Sequence, residues 1–231
     1  MTEGDRPAAE RSGEAVTRLD EITRRLRREC PWDREQDERS IVPHTVEESY
    51  ELADAAERGD DGRLLDELGD VLFQVHFLSL LLEERGAGDL AAVAEHCQQK
   101  LIRRHPHVFG DTAADSAADV LQNWDRIKVE QEGQSELFAD VPENLPALLY
   151  ARKLQRRSAS RGDGEGLAPD TGVALERARD RIAALDSAFG RDEVERLLGD
   201  ALFAVVDAAR QLRADPELAL RAAAQRFRDG E

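Results

Sequence analysis

Apolar residues near the start of the chain recur every three to four positions. Val16, Leu19, Ile22 and Leu26 follow this spacing. Residues spaced in this way lie on one face of an α-helix, so the pattern predicts an amphipathic helix here. Because a residue that precedes a proline disfavours helical backbone, we predict that this helix ends before Pro31.

A helical hairpin is predicted next. After a polar loop that runs to Pro43, a second helix is predicted to begin at Thr45 and to end at the turn Gly59–Gly62. The helix after this turn carries a long apolar stripe at helical spacing: Leu64, Leu65, Leu68, Val71, Leu72, Val75, Leu78 and Leu82. Further helices are predicted over about 90–104 and 116–132. No segment alternates with period two, so the fold class is predicted to be all-α.

An internal repeat divides the chain into two related parts. Leu68–Val75 (LGDVLFQV) recurs as Leu198–Val205 (LGDALFAV), at a constant offset of 130 residues. Prolines at 142 and 146 mark the junction between the parts. We therefore predict a disordered tail over 1–14 and two helical domains, over 15–135 and 136–231.

Four carboxylates are placed to face one another across the predicted hairpin. Glu48 and Glu51 lie three residues apart on its first helix, and Glu67 and Asp70 lie three apart on its second, so each pair shares a helix face. The midpoint between the two pairs is Gly59, inside the turn, and antiparallel packing therefore brings them to the same level. Carboxylates this close cannot all ionise without a cation. Oxygen-only ligands suit Mg²⁺ or Mn²⁺ and indicate phosphate-ester or anhydride chemistry.

Other interpretations of these acidic residues remain open. Glutamate-rich helix faces are often only solvated, and Thr45 followed by Glu48 also matches a helix capping box. A ferritin-like di-iron bundle would need Glu-x-x-His pairs, which this segment lacks. Glu67 and Asp70 favour the metal site, because they interrupt an otherwise apolar helix.

The overall charge restricts the class of partner. The chain has 49 acidic and 32 Lys or Arg residues, a formal net charge of −17. This balance argues against binding to a nucleic acid polymer and fits the binding of divalent cations. Two cysteines are too few for a disulfide framework. No apolar run approaches the ~18 residues of a membrane span. No secretory signal opens the chain. A cytoplasmic protein with no membrane partner is expected.

Two pairs of residues are candidates for binding phosphate groups. Lys100 and Arg104 lie four residues apart on one predicted helix, and Trp124 and Lys128 lie four apart on the next. Lysine and arginine would hold phosphate charge that a metal leaves unneutralised. Trp124 could pack on a base or ribose, although a core position is an equally good interpretation.

The order of the sequence blocks resembles that of a known family. CPWD at Cys30–Asp33, EESYE, ELGD, RRHPHVFGD and WDRIK at Trp124–Lys128 follow one another as in the MazG family of nucleoside triphosphate pyrophosphohydrolases. The acidic blocks alone would identify only the wider all-α NTP pyrophosphatase superfamily. The CPWD and RRHPHVF blocks make the resemblance specific.

The resemblance implies Mg²⁺-dependent hydrolysis of a nucleoside triphosphate to the monophosphate and pyrophosphate, through attack of water at the α-phosphorus. The implied role is house-cleaning of the nucleotide pool, with non-standard or damaged nucleotides among the plausible substrates. It implies a MazG-like helical bundle that assembles as a homodimer. The implied metal ligands are Glu48, Glu51, Glu67 and Asp70. The implied catalytic residues are Glu47, Glu48 and Glu51. The residues implied to bind the substrate are Lys100, Arg104, Trp124 and Lys128.

The second part resembles the family's second domain but lacks its acidic ligands. Asp200 matches Asp70, whereas Leu197 stands at the position equivalent to Glu67. Arg181 stands where a ligand would be expected. Because Leu and Arg cannot bind Mg²⁺, this domain is expected to be degenerate, with a structural or dimerisation role.

Two other functions are compatible with the sequence. One is a non-enzymatic acidic helical module that binds a metal or a partner without turnover. The other is a narrow dUTP, dCTP or phosphoribosyl-ATP pyrophosphohydrolase, which the CPWD and RRHPHVF blocks disfavour.

Overall fold

A computed structural model of the chain describes residues 7–111, 120, 138, 141–160 and 166–230. These residues form helices and short turns, and no strand occurs among them. The principal helices are α1 (Ala8–Glu29), α2 (Pro31–Glu35), α3 (Glu38–Arg58), α4 (Asp61–Glu84), α5 (Leu90–Arg104), α6 (Pro106–Phe109), α7 (Ala147–Ser160), α8 (Thr171–Ala183), α9 (Arg191–Gln211) and α10 (Pro216–Asp229). The all-α prediction is therefore confirmed. No helix within the described ranges has the length and apolar character needed to cross a membrane.

The chain divides into two compact units, residues 1–101 and 102–231. In the first unit, α3 and α4 pack along each other as a hairpin, and α1 packs against α2 and α4. In the second unit, α8 and α9 form a hairpin, with α7 and α10 packed beside it. The two copies of the repeated sequence lie on α4 and α9, the second helix of each hairpin. The predicted domain boundary near residue 135 lies outside the described residues and stays a prediction.

Helix α1 begins earlier than its apolar pattern indicates. It ends at Glu29, before Pro31 as predicted, but it starts at Ala8. The predicted tail over 1–14 therefore extends too far, since residues 8–14 are helical. Their side chains are all exposed, so no apolar periodicity reveals these roughly two turns of helix. Residues 1–6 lie outside the described residues.

The polar loop predicted to run to Pro43 is wrong. Helix α3 begins at Glu38, because Asp37 and Ser40 form a capping box. The Asp37 carboxylate accepts from the Ser40 backbone N–H at 2.9 Å, and the Ser40 hydroxyl accepts from the Asp37 N–H at 2.9 Å. Pro43 lies inside this helix, where it removes a single backbone donor. Thr45 is likewise inside α3, so a capping box at Thr45 no longer explains Glu48.

The turn between α3 and α4 fixes which residues face each other across the hairpin. Gly59 closes α3 with a left-handed backbone at φ 66°, a conformation that glycine adopts without a steric penalty. Asp60 then caps α4 by accepting from the N–H groups of Gly62 and Arg63, both at 3.1 Å. The turn predicted from the sequence is confirmed, and both helices leave it with defined ends.

The apolar core of the first unit lies away from this turn. Phe77 is fully buried with Ile41 and Leu81, and Phe73 packs edge-on against it with ring centroids 5.9 Å apart. The guanidinium of Arg27 lies 5.8 Å from the centre of the Phe77 ring. The core thus holds α3 against α4 from one side and leaves the turn-proximal part of the hairpin for polar residues.

Candidate metal centre

Three carboxylates converge between α3 and α4. Glu48 on α3 and Glu67 and Asp70 on α4 each offer an oxygen, and these oxygens lie within 4.8 Å of one another. Glu67 is buried, Glu48 is half-buried and Asp70 is exposed, so the group opens to solvent on one side. The structure therefore brings together three of the four residues that the hairpin register predicts.

The fourth predicted ligand, Glu51, lies beside this group rather than within it. Its side chain is exposed. Its negative charge nevertheless contributes to raising the pKa of both Glu48 and Glu67. Glu47 is exposed as well, 3.7 Å from Nδ1 of His44, and its charge also raises the pKa of Glu48.

The electrostatics show a shortage of positive charge at this position. Burial raises the pKa of Glu48 above its ordinary value, and the neighbouring Asp70 and Glu51 raise it further. Burial also raises the pKa of Glu67, and the charge of Glu51 adds to the effect. Among the described residues, Arg63 opposes the shift at Glu67, from a distance of 3.9 Å. A bound cation would remove the repulsion that remains.

The donor set fits a hard divalent cation. All of the gathered atoms are carboxylate oxygens, which Mg²⁺ and Mn²⁺ prefer over the nitrogen and sulfur ligands typical of zinc. An open cavity of about 380 Å³ on α4 includes Asp70 in its lining, whereas Glu48 and Glu67 do not line it. Its lining residues are Gly62, Arg63, Leu65, Asp66, Gly69 and Asp70.

We expect Glu67→Gln to stabilise the metal-free protein at pH 7. Because the pKa of Glu67 is raised in the folded state, its contribution to the free energy of unfolding falls as pH rises from about 4.5 through the folded pKa. Glutamine removes this unfavourable charge, so thermal unfolding in EDTA should shift to a higher temperature at pH 7 and by little near pH 4.

With added Mg²⁺, the wild type should unfold at a higher temperature than Glu67→Gln. The ion should raise the unfolding temperature of the wild type more than that of Glu67→Gln, because it binds the folded acidic group. Glu57→Gln, an exposed substitution elsewhere on α3, is the matched control. If Glu67→Gln and Glu57→Gln shift the unfolding temperature equally in EDTA, the crowding of charge at Glu67 does not affect stability.

The predicted phosphate-binding residues are only partly described. Lys100 is half-buried on α5, and Arg104 is the half-buried last residue of that helix. Trp124 and Lys128 lie outside the described residues. Their predicted roles at the substrate stay predictions.

Arg63 is a site residue that the sequence interpretation did not single out. It lies between two acidic side chains, with Nη1 3.3 Å from Asp54 and Nη2 3.9 Å from Glu67. Its position four residues before Glu67 on α4 is the available signal, because residues at that spacing are neighbours on a helix.

No such group occurs among the residues of the second unit that the structure describes. Across the described ranges, the acidic side chains whose oxygens lie close enough together to hold a metal ion are Glu48, Glu67 and Asp70. Asp200, the counterpart of Asp70, instead accepts from Arg196 at 3.2 Å. The degenerate character of the second domain stays a prediction.

Fold and site together define an all-α protein that carries an oxygen-only acidic centre on a helical hairpin. Residues 36–109 match the family model described as the MazG nucleotide pyrophosphohydrolase domain. The chain is 40% identical over 224 residues to the nucleoside triphosphate pyrophosphohydrolase of Escherichia coli K12, and the match covers 92% of this chain and 84% of that protein.

A second relative is the nucleoside triphosphate pyrophosphohydrolase/pyrophosphatase MazG of Thermotoga maritima, 37% identical over 204 residues, with 86% of this chain and 76% of that protein covered. A Mycobacterium tuberculosis protein named nucleoside triphosphate pyrophosphohydrolase is 33% identical over 168 residues, which is 72% of this chain and 50% of that protein. The chain therefore belongs to the MazG nucleotide pyrophosphohydrolase family, and the resemblance drawn from its sequence blocks is confirmed.

Proposed function

We propose that this protein hydrolyses nucleoside triphosphates to the monophosphate and pyrophosphate with the help of a divalent cation, Mg²⁺ or alternatively Mn²⁺. The observation that supports the proposal most directly is the convergence of Glu48, Glu67 and Asp70 in a member of this family. The relatives named as nucleoside triphosphate pyrophosphohydrolases match most of the chain and support the same reaction. Deoxynucleoside triphosphates and non-standard or damaged nucleotides fit the same role, that of house-cleaning the nucleotide pool.

The acidic residues divide between two roles in this proposal. Glu48, Glu67 and Asp70 would hold the cation, with Glu51 as a fourth ligand from its exposed position beside them. When bound, the cation supplies positive charge that stabilises negative charge on the leaving pyrophosphate. Glu47 would orient the water that attacks the α-phosphorus.

The cationic residues would bind the part of the substrate that the acidic group cannot. Lys100, Arg104 and Lys128 are proposed to hold the phosphate oxygens, since guanidinium and ammonium groups form strong charge-assisted hydrogen bonds to phosphate. Trp124 is proposed to line the nucleotide site. Positioning of the triphosphate and stabilisation of its developing charge account for most of the catalysis expected in phosphoryl transfer.

Product analysis tests the proposed reaction. Each common NTP and dNTP is incubated with the protein and Mg²⁺, and the products are separated by ion-exchange chromatography. We expect monophosphate and pyrophosphate in equal amounts, and no products in EDTA. A Glu51→Ala preparation, purified in the same way, controls for contaminating hydrolases.

Two results would contradict the proposal. Release of diphosphate and orthophosphate would mean that water attacks the γ-phosphorus. Lack of turnover with every nucleotide would favour the non-enzymatic binding module. Turnover restricted to dUTP or dCTP would keep the reaction and identify a narrow substrate range.

We also propose that the first domain is catalytic and that the second supports assembly of a homodimer in the cytoplasm. Helix α9 of the second unit supports this assembly, because three of its apolar side chains are exposed at helical spacing: Leu198, Leu202 and Val205. Such a stripe commonly marks a protein interface. Analytical ultracentrifugation of the full chain measures the assembly directly.

A further inference from the structure

The second unit contains a cavity of about 570 Å³ between its hairpin helices. Helix α8 contributes the charged residues Arg177, Asp180 and Arg181, and α9 contributes Asp200 and Asp207. This volume is in the range of sites that bind small molecules. The cavity lies within the second unit and is separate from the acidic centre of the first.

The internal repeat relates this cavity to that acidic centre. Asp200 lies 130 residues after Asp70, and Arg181 lies 130 residues after Glu51. The second hairpin thus has a cavity at the place that corresponds to the acidic centre, and its lining includes two guanidinium groups beside the carboxylates. Because arginine is always protonated and cannot bind a metal ion, the recess is suited to an anion instead.

Most of the carboxylates in the cavity are already neutralised by other arginines. The Asp207 carboxylate accepts from Arg210 at 2.6 Å and from the backbone N–H of Ala168 at 2.8 Å. Asp200 accepts from Arg196 at 3.2 Å. Neither Arg196 nor Arg210 is among the residues that line the cavity. The two lining arginines are therefore opposed mainly by Asp180.

The arginines on α8 are arranged to bind one group together. They lie four residues apart, so their side chains share a helix face. Arg177 donates to the backbone carbonyl of Gly166 at 3.0 Å, which orients its guanidinium. Arg181 makes no hydrogen bond or ion pair with any residue within the described ranges. Its donors are available to a phosphate group, which the guanidinium geometry matches.

An aromatic ring completes the lining. Phe203 on α9 borders the cavity, and 45% of its surface is exposed. Its backbone carbonyl accepts from Gln155 at 2.8 Å, which holds this part of α9 against α7. An exposed ring at a fixed position offers a stacking surface for a planar base.

We propose that this cavity is a metal-independent binding site for a nucleotide. Arg177 and Arg181 hold its phosphate, and Phe203 packs against its base. This site does not depend on the reaction proposed for the first unit, which is assayed separately by its products. It gives the degenerate hairpin a ligand of its own.

Isothermal titration calorimetry of the full chain in EDTA tests the proposal, with AMP, GMP, CMP and UMP as probes. We expect at least one of the four to bind the wild type, at least tenfold more tightly than the corresponding nucleoside. Arg181→Gln should weaken that binding at least tenfold. Arg179→Gln should change it less than twofold, because Arg179 is exposed on the same helix and does not line the cavity.

Thermal unfolding confirms that the variants are folded, and Phe203→Leu provides a second test. Phe203→Leu should weaken the binding of the nucleotide and leave the binding of pyrophosphate unchanged, since pyrophosphate has no base to stack. The proposal is overturned if none of the four nucleotides binds in EDTA. It is also overturned if Arg181→Gln and Arg179→Gln have equal effects, which would place the nucleotide elsewhere on the protein.

Discussion

Asp70→Asn is expected to lower nucleoside triphosphate hydrolysis on the order of a thousandfold while leaving the helical content unchanged. Asparagine has the same size as aspartate but removes one of the three charges that meet between α3 and α4. Metal-assisted charge stabilisation is worth several kcal/mol, and each ~1.4 kcal/mol corresponds to tenfold in rate. Because Asp70 is exposed and its replacement is isosteric, the fold should not change.

Steady-state pyrophosphate release measures this effect, with circular dichroism as the check on folding. Glu57→Gln is the control, since it also removes one negative charge from the hairpin but lies away from the acidic group. It should retain turnover within a factor of two. Activity of Asp70→Asn within tenfold of the wild type would remove Asp70 from the site.

Phe77→Ala is expected to destabilise the first unit by about 3–5 kcal/mol, the usual cost of truncating a fully buried phenylalanine. Phe77 is 0% exposed and contacts the central apolar residues of its unit, Ile41 and Leu81. Alanine would leave a cavity at the position where α4 packs against α3. Since whole domains are stable by about 5–15 kcal/mol, this is a large fraction of the total.

Urea unfolding followed by circular dichroism measures the loss. The midpoint for Phe77→Ala should fall, with little change in the slope of the transition. Phe189→Ala is the matched control, because Phe189 is 91% exposed and its removal should change the free energy of unfolding by about 0.5 kcal/mol or less. A loss below about 1 kcal/mol for Phe77→Ala would mean that the site collapses to fill the cavity.

Prediction of the helices succeeded where local signals were strong. The end of α1 before Pro31 is predicted correctly, because proline disfavours helical backbone in the residue before it. The turn at Gly59 is predicted correctly as well, because glycine adopts a left-handed backbone without a steric penalty. The start of α3 was missed. A proline at position 43 indicates a loop, but α3 begins at the capping box of Asp37 and continues through Pro43, and Ile41 in the same turn is buried against Phe77 and Leu81.

The sequence by itself determined the helical class, the family and the register of the acidic hairpin. The spacing of Glu48, Glu67 and Asp70 about a short turn was enough to predict that they meet, because helix geometry and turn position fix the level of each residue. Family membership followed from blocks that keep the same order, which the relatives confirm.

Only the tertiary structure decided the environment of each charged group. Burial of Glu67, the position of Glu51 beside the group and the contact of Arg63 with Asp54 depend on how α3 and α4 pack, which spacing alone does not fix. The same holds for the cavity of the second unit. The sequence of this unit shows the loss of the acidic ligands, but the hydrogen bond from the Ala168 backbone N–H to Asp207, 39 residues away, depends on how the unit packs. Electrostatic energy depends on distance and solvent exposure, and both are properties of the folded chain.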